Sequence, residues 1–248
     1  MQKTQVYFVR HAESVGNDTR TNLPPQENVL TERGWVQAQL LGKHLQNIAF
    51  THVFASPYVR TVSTAEQILS ESTATSTDTG IEVDANIRER HSGIYEGRST
   101  RALVCGMIEA GGNPLDWLPE GGESKDEVER RLEIFLQRLG TVIDSGNDRK
   151  TILVVTHGAV LVHLWHYLLR QSDKYSLLNW KPEFFKVSRN TNYFLLAVEE
   201  SPDVGQPREM KILVAHGNEH LKSLGDDALS SFFKEDKSVA ALRGCMQQ

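Results

Sequence analysis

The segment Val6-Tyr7-Phe8-Val9 runs straight into Arg10 and His11, with Glu13 two residues on. Four consecutive apolar residues, β-branched or aromatic, read as a buried strand. Charge placed directly at the end of a buried strand is costly unless it is used. The place that accommodates it is the carboxyl edge of an α/β sheet, where ligands bind outside the strand ends. This one junction excludes an all-helical chain and directs attention to the edge at which Arg10 and His11 emerge.

The remaining pattern supplies strands and helices in alternation. Gly16 to Asn28 reads as a polar loop with Pro24-Pro25, and Thr31 as the N-cap of a helix reaching Ile48. His52-Val53-Phe54-Ala55 reads as a strand. Ser56-Pro57 then predicts a helix with Ser56 as its cap, which puts Arg60 in the first turn. Ser70 to Gly80 is loop, Ile81-Glu82-Val83 a short strand, and Ile87 to Gly97 a charged loop carrying Glu89. Helices are expected over Thr100 to Ala110 and Glu123 to Ile143, the latter with Val128, Leu132, Phe135, Leu136, Leu139 and Ile143 on one face. Thr151 to Thr156 is the clearest buried strand, and it also ends in a histidine, His157, before a helix over Ala159 to Leu169. Tyr193 to Val198 and Ile212 to Ala215 complete the strands. Strands alternating with helices imply a three-layer α/β/α domain with a mostly parallel central sheet. We expect it to occupy residues 1–225, with 226–248 as a polar tail.

Bulk properties narrow the function. The chain has 248 residues, enough to bury a substantial core, and a formal net charge of −5. That balance argues against a nucleic-acid partner, which calls for a basic excess. No apolar run reaches membrane-spanning length, and the apolar stretch near the start is too short for a signal peptide core. Cys105 and Cys245 stand far apart and read as reduced thiols, so a cytoplasmic protein is expected. Oligomeric state is left open by the sequence.

If the strand ends share one edge, Arg10, His11, Arg60, Glu89 and His157 converge. Two guanidinium forks match phosphate oxygens and stay charged at any working pH. A neutral imidazole is a competent nucleophile toward phosphorus, and a carboxylic acid can protonate a leaving alcohol and later activate water. Such a set needs no metal or other cofactor, because the arginines neutralise the transferring group. Its substrate would be a small phosphate ester. His163 and His166 share a helix, but without the HExxH pattern they do not make a zinc site.

These residues carry a resemblance. Arg10-His11-Ala12-Glu13 followed by Asn17 resembles the RHGE…N signature of the histidine phosphatase superfamily, the phosphoglycerate mutase-like proteins. In the family's order follow Leu30-Thr31-Glu32-Arg33-Gly34, Ala55-Ser56-Pro57-Tyr58-Val59-Arg60-Thr61, Ile87-Arg88-Glu89-Arg90, Gly121-Gly122-Glu123-Ser124 and Val155-Thr156-His157-Gly158. The resemblance spans roughly residues 5 to 198 and implies a phosphoglycerate mutase-like fold. It implies that His11 is phosphorylated, that Arg10, Arg60, His157 and Asn17 bind the phosphoryl group, and that Glu89 moves the proton. Ala12 stands where the family usually has Gly, and Ser63 where Gln is frequent. The RHxRxP pattern of the acid phosphatase branch is absent. The short segment between Gly97 and Gly121 favours a phosphatase over a mutase, and is most similar to TIGAR-type fructose-2,6-bisphosphatases and broad-specificity phosphatases. Fructose 2,6-bisphosphate is thus the favoured substrate, then phosphoglycerates. A phosphoglycerate mutase, or a binding protein without activity, are the alternatives. Glu13 reads as structural, and His91 and Tyr95 as candidates for the mouth of the site. Specificity is expected in the loops Gly16–Asn28 and Gly97–Gly121.

Overall fold

A computed structural model describes residues 4–146, 148–200 and 206–224. The 226–248 tail and Cys245 therefore lie outside the described residues. The first strand, β1, covers Thr4–Arg10, so the apolar run and the arginine belong to one element. The other strands are β2 (His52–Ala55), β3 (Ile81–Val83), β4 (Thr151–Thr156), β5 (Tyr175–Leu178), β6 (Tyr193–Val198) and β7 (Arg208–Gly217). They form one seven-stranded sheet in the order β3-β2-β4-β1-β6-β7-β5. The first four neighbours run parallel. β6 is antiparallel to both β1 and β7, and β5 closes the edge parallel to β7.

Alternate side chains of the central strands feed two cores, as the period of a strand requires. Val6, Phe8, Phe54, Ile152 and Val154 face helices α5 (Lys125–Asp144) and α6 (Gly158–Arg170). There Trp165 packs on Phe8 at 5.6 Å and on Phe194 at 4.6 Å between ring centroids. Tyr7, Val9, Val53, Leu153 and Val155 face helices α2 (Glu32–His44) and α3 (Val59–Ser70). Buried on both sides, these strands read as nearly continuous apolar runs. Among the described residues no helix is long and apolar enough to cross a membrane.

Several local expectations need correction. The loop after β1 contains a single helical turn, α1 (Val15–Asp18), at whose start Ser14 N donates to Asn17 Oδ1 at 3.3 Å. The helix after β2 begins at Val59 with Tyr58 as its cap, not at Pro57 behind Ser56. Ser56 is drawn away, because its hydroxyl partners His157 Nε2 at 2.7 Å. Thr31 does cap α2, accepting from Gly34 N at 2.9 Å. Gly34 must be glycine, since a Cβ there would lie 2.0 Å from the Glu13 carbonyl oxygen. Glu13 itself is buried and accepts from Thr31 Oγ1 and Arg33 Nε, at 2.8 and 2.9 Å. Its role is to tie α2 to the end of β1.

The register places the site. Phe8 lies beside Val154, Val9 beside Val155 and Arg10 beside Thr156, while Ala55 lies beside Val155. β1, β4 and β2 therefore end at one edge, delivering His11, His157 and Ser56 side by side. Antiparallel β6 starts at that same edge, since Val9 pairs with Tyr193. The preceding segment, residues 188–192, consequently joins the site.

Candidate active site

His11 is held by its backbone on both sides. Its N–H donates to Thr156 O at 2.9 Å, and its carbonyl accepts from Asn190 Nδ2 at 3.0 Å. The imidazole is buried, with Nδ1 2.7 Å from Ala12 O. A carbonyl only accepts, so Nδ1 carries the proton. That leaves Nε2 unprotonated, and Arg60 Nε donates to it at 3.2 Å. His157 is assigned in the same way with the tautomer reversed. Arg60 Nη2 donates to its Nδ1 at 3.2 Å, and its Nε2–H points to Ser56 Oγ at 2.7 Å. The two rings are 5.2 Å apart.

Both imidazoles are neutral for stated reasons. Burial holds His11 well below the ordinary histidine value, and the charges of Arg60 and Arg10 push further in that direction. Burial and the same two arginines do this for His157, together with His11 itself. The arginines remain cationic. Burial lowers Arg10 to about 10, opposed by the carboxylate of Glu89. Arg10 Nη1 donates to Ser188 O at 2.5 Å. Arg60 lies against the Tyr58 ring, 4.9 Å from its centroid, and its buried Nη1 has no protein acceptor among the described residues. Arg60 lines the cleft, and a buried guanidinium nitrogen left without a protein acceptor there suits a phosphoryl oxygen. The first turn of α6 has no side-chain cap, and Gly158 and Ala159 line the cleft. Its partial positive charge adds to the anion site.

Glu89 is half-buried and lines the same cleft, its Oε1 accepting from Arg90 N at 3.0 Å. Burial raises its pKa, and Arg60 and Arg10 oppose that rise. Asn17 Oδ1 is occupied by Asn190 Nδ2 at 2.9 Å and Ser14 N at 3.3 Å. Its Nδ2 is the group left for the cleft that Asn17 lines. The structure thus brings Arg10, His11, Asn17, Arg60 and Glu89 to one cleft of about 550 Å³, with His157 directly behind Arg60. His91 lines the cleft at its rim, whereas Tyr95 sits behind the wall, packed on Trp117 at 5.6 Å.

Sequence reasoning did not identify what holds these groups. Buried Glu123 is gripped by Arg131, Nε to Oε1 at 2.8 Å and Nη2 to Oε2 at 3.0 Å, and by Arg88 at 2.8 Å. Arg131 also donates to Asn86 O at 2.7 Å, and Arg90 Nε donates to Glu123 O at 2.8 Å. The loop bearing Glu89 is therefore bolted to α5. A charged residue at 131 inside the stripe of Val128, Leu132 and Phe135 was the available signal. Glu123→Gln leaves Arg131 buried beside an uncharged partner, and breaking such a pair costs ~3–5 kcal/mol. The expected result is that loss in urea unfolding, together with a lower kcat from a displaced Glu89. Ser188 and Asn190 went unnoticed because loops carry no periodic pattern, and Ser56 was read as a helix cap rather than as the partner of His157.

The chain matches the family model described as the histidine phosphatase superfamily (branch 1) over residues 6–183. It is 35% identical over 141 residues to fructose-2,6-bisphosphatase TIGAR of Xenopus tropicalis, covering 56% of this chain and 50% of that protein. The match thus spans about half the length of that relative. It is 30% identical over 161 residues to a probable phosphoglycerate mutase, GpmB, of Erwinia tasmaniensis, covering 63% of this chain and 71% of the relative. Among solved structures, a mycobacterial glucosyl-3-phosphoglycerate phosphatase superposes with a TM-score of 0.68 at 18% identity, over 88% of this chain and 100% of that one. A phosphoglycerate mutase from Bacillus anthracis superposes with a TM-score of 0.65 at 19% identity, over 83% of this chain and 94% of that one. Those two likenesses establish the phosphoglycerate mutase-like fold. With the family model matched across most of its length, the chain belongs to the histidine phosphatase superfamily, branch 1.

Proposed function

We propose that this phosphatase hydrolyses a small phosphate ester in two steps, through a phosphohistidine on Nε2 of His11. The observation that carries this is the pair of contacts made by the His11 ring, which sets its tautomer. A buried, neutral imidazole has its proton fixed on Nδ1 by Ala12 O, at 2.7 Å, and presents Nε2 beside Arg60.

In the first step Nε2 attacks phosphorus, and the bond from phosphorus to the alcohol oxygen breaks. Arg10, Arg60 and the first turn of α6 take the charge of the phosphoryl oxygens, with Asn17 adding a donor. The Nδ1–H bond to Ala12 O disperses the positive charge that the imidazole acquires. Glu89, in its acid form, gives its proton to the departing alkoxide. In the second step the Glu89 carboxylate removes a proton from water, whose oxygen attacks phosphorus. The bond to Nε2 breaks, phosphate leaves and neutral His11 is restored. His157 lies behind Arg60 with both ring nitrogens engaged, Nδ1 by Arg60 Nη2 and Nε2 by Ser56 Oγ, so its part is to orient that guanidinium rather than to bind the phosphoryl group as the family resemblance implied. The arginines supply the charge neutralisation, so the cycle requires no metal.

The mutase reading keeps the site and changes the fate of the phosphoenzyme. A mutase must exclude water while its product turns around and reattacks. Half-buried Glu89, lining the cleft, can meet water there and supports hydrolysis instead. Incubation with 3-phosphoglycerate and 2,3-bisphosphoglycerate separates the two. The expected result is net release of inorganic phosphate, whereas rapid interconversion of phosphoglycerates without release would establish the mutase. Fructose 2,6-bisphosphate, the compound in the name of the TIGAR relative, is the sequence-based expectation and belongs in the same assay.

A further inference from the structure

We infer that the alcohol of the substrate is uncharged and largely apolar, an alkyl or aryl group seated on helix α4, and that the cleft takes one phosphate rather than two. This rests on the phosphatase reading above and names its leaving group.

Helix α4 spans Thr100–Glu109 and has no buried residue. Thr100, Leu103, Val104 and Met107 nonetheless all line the cleft that contains His11. Their spacing is that of a single helical face. In an ordinary amphipathic helix that face would be covered by core. Here it borders the space directly outside the phosphoryl site. Leu23 and Pro24 contribute to the same cleft from the loop after α1, and Trp117 from the segment after α4.

These walls are held in place. Thr100 N donates to Arg20 O at 2.7 Å and Asn22 N to Arg98 O at 2.8 Å, so the loop and the start of α4 are one body. Tyr95 supports α4 from behind so closely that a Cβ at Gly106 would lie 1.9 Å from its hydroxyl.

Charge points the same way. Among the described residues the arginines lining the cleft are Arg10, Arg60 and Arg90. The first two belong to the transferring phosphoryl group. Arg90 is committed to backbone, with Nε on Glu123 O at 2.8 Å, Nη1 on Pro114 O at 3.1 Å and Nη2 on Trp117 O at 2.5 Å. Among the described residues no lysine lines the cleft, and besides rim His91 its outer part carries the carboxylate of Glu96, which accepts from Ser92 N at 2.7 Å. A second phosphate would exchange water for this cation-poor wall, whereas a hydrocarbon would cover it.

The test is a series of esters whose alcohols differ in length but little in acidity. Phosphate release by the full-length protein is measured for ethyl, butyl and hexyl phosphate, glycerol 3-phosphate and fructose 2,6-bisphosphate. We expect kcat/KM to climb about fourfold for each methylene buried. Hexyl phosphate should exceed both polar substrates by about tenfold or more. Leu103→Ser and Met107→Ser should each compress the hexyl-to-ethyl ratio, a readout from which a general loss of active protein cancels. A flat or falling alkyl series, or a preference for fructose 2,6-bisphosphate, overturns the inference and leaves the phosphatase intact. Absence of phosphate release from every ester, p-nitrophenyl phosphate included, overturns both.

Discussion

His11→Asn is expected to fold normally and to lose at least about 10⁴-fold in kcat on any phosphate monoester, the scale seen when a covalent nucleophile is removed. Asparagine is the informative replacement. Its Nδ2 can stand where imidazole Nδ1 stands and keep the bond to Ala12 O, 2.7 Å away in the wild type. What it lacks is a nucleophilic lone pair beside Arg60. Arg10, Arg60 and α6 would remain to bind phosphate, so inorganic phosphate should still raise the melting temperature of the variant. Loss of activity with retained phosphate protection assigns His11 to chemistry. Loss of both would mean that the residue is needed to build the site.

Glu89→Gln should separate the two half-reactions. With an alkyl phosphate the departing alkoxide needs a proton, and removing the acid should cost about 10²–10⁴-fold. With p-nitrophenyl phosphate the leaving phenolate does not, so phosphorylation of His11 should survive. Hydrolysis of the phosphoenzyme still requires the base. The variant should therefore release one equivalent of p-nitrophenolate in a burst and then stall. The pH dependence follows from the same assignment. Glu89 must be protonated to act first, and burial raises its pKa. The acid form thus persists to higher pH than in an exposed glutamate, and kcat/KM on hexyl phosphate declines as pH rises through that value. His11 must be neutral, and its pKa lies well below the ordinary 6.5. Acidification to about 6.5 therefore should not protonate the nucleophile. In Glu89→Gln the alkaline decline should disappear. Equal losses on both substrates without a burst would argue against Glu89 as the proton carrier.

The elements that build the candidate site were legible because each is announced locally. Val6–Val9 and Thr151–Val155 are apolar runs that stop at Arg10-His11 and His157, and parallel pairing makes such stops coincide. Arg60 was placed in a first turn even though the cap beside it was assigned to the wrong residue. The error at Ser56 is instructive. Ser-Pro is a good helix start by local rules, but a buried imidazole 101 positions later claimed the hydroxyl. Tyr175–Leu178 was missed as a strand because four residues on a sheet edge, with Leu177 alone buried, have little pattern to show. β7 was seen only in part, over Ile212 to Ala215, because its first residues alternate charge with a single buried Met210. The Glu123–Arg88 pair and the Asn190 bridge to Asn17 and His11 depend on contacts between segments far apart in the chain. Such contacts become readable only once the fold has brought the segments together.

The most direct measurement is rapid-quench labelling with ³²P-phosphorylated substrate at a concentration of enzyme high enough to count equivalents. The predicted result is a transient, substoichiometric to stoichiometric label on wild-type protein that is stable in alkali, labile in acid and mapped to the peptide containing His11. It should be absent from His11→Asn and long-lived in Glu89→Gln supplied with p-nitrophenyl phosphate. Equal labelling of wild type and His11→Asn, or steady phosphate release with no labelled protein at any time, would contradict the account.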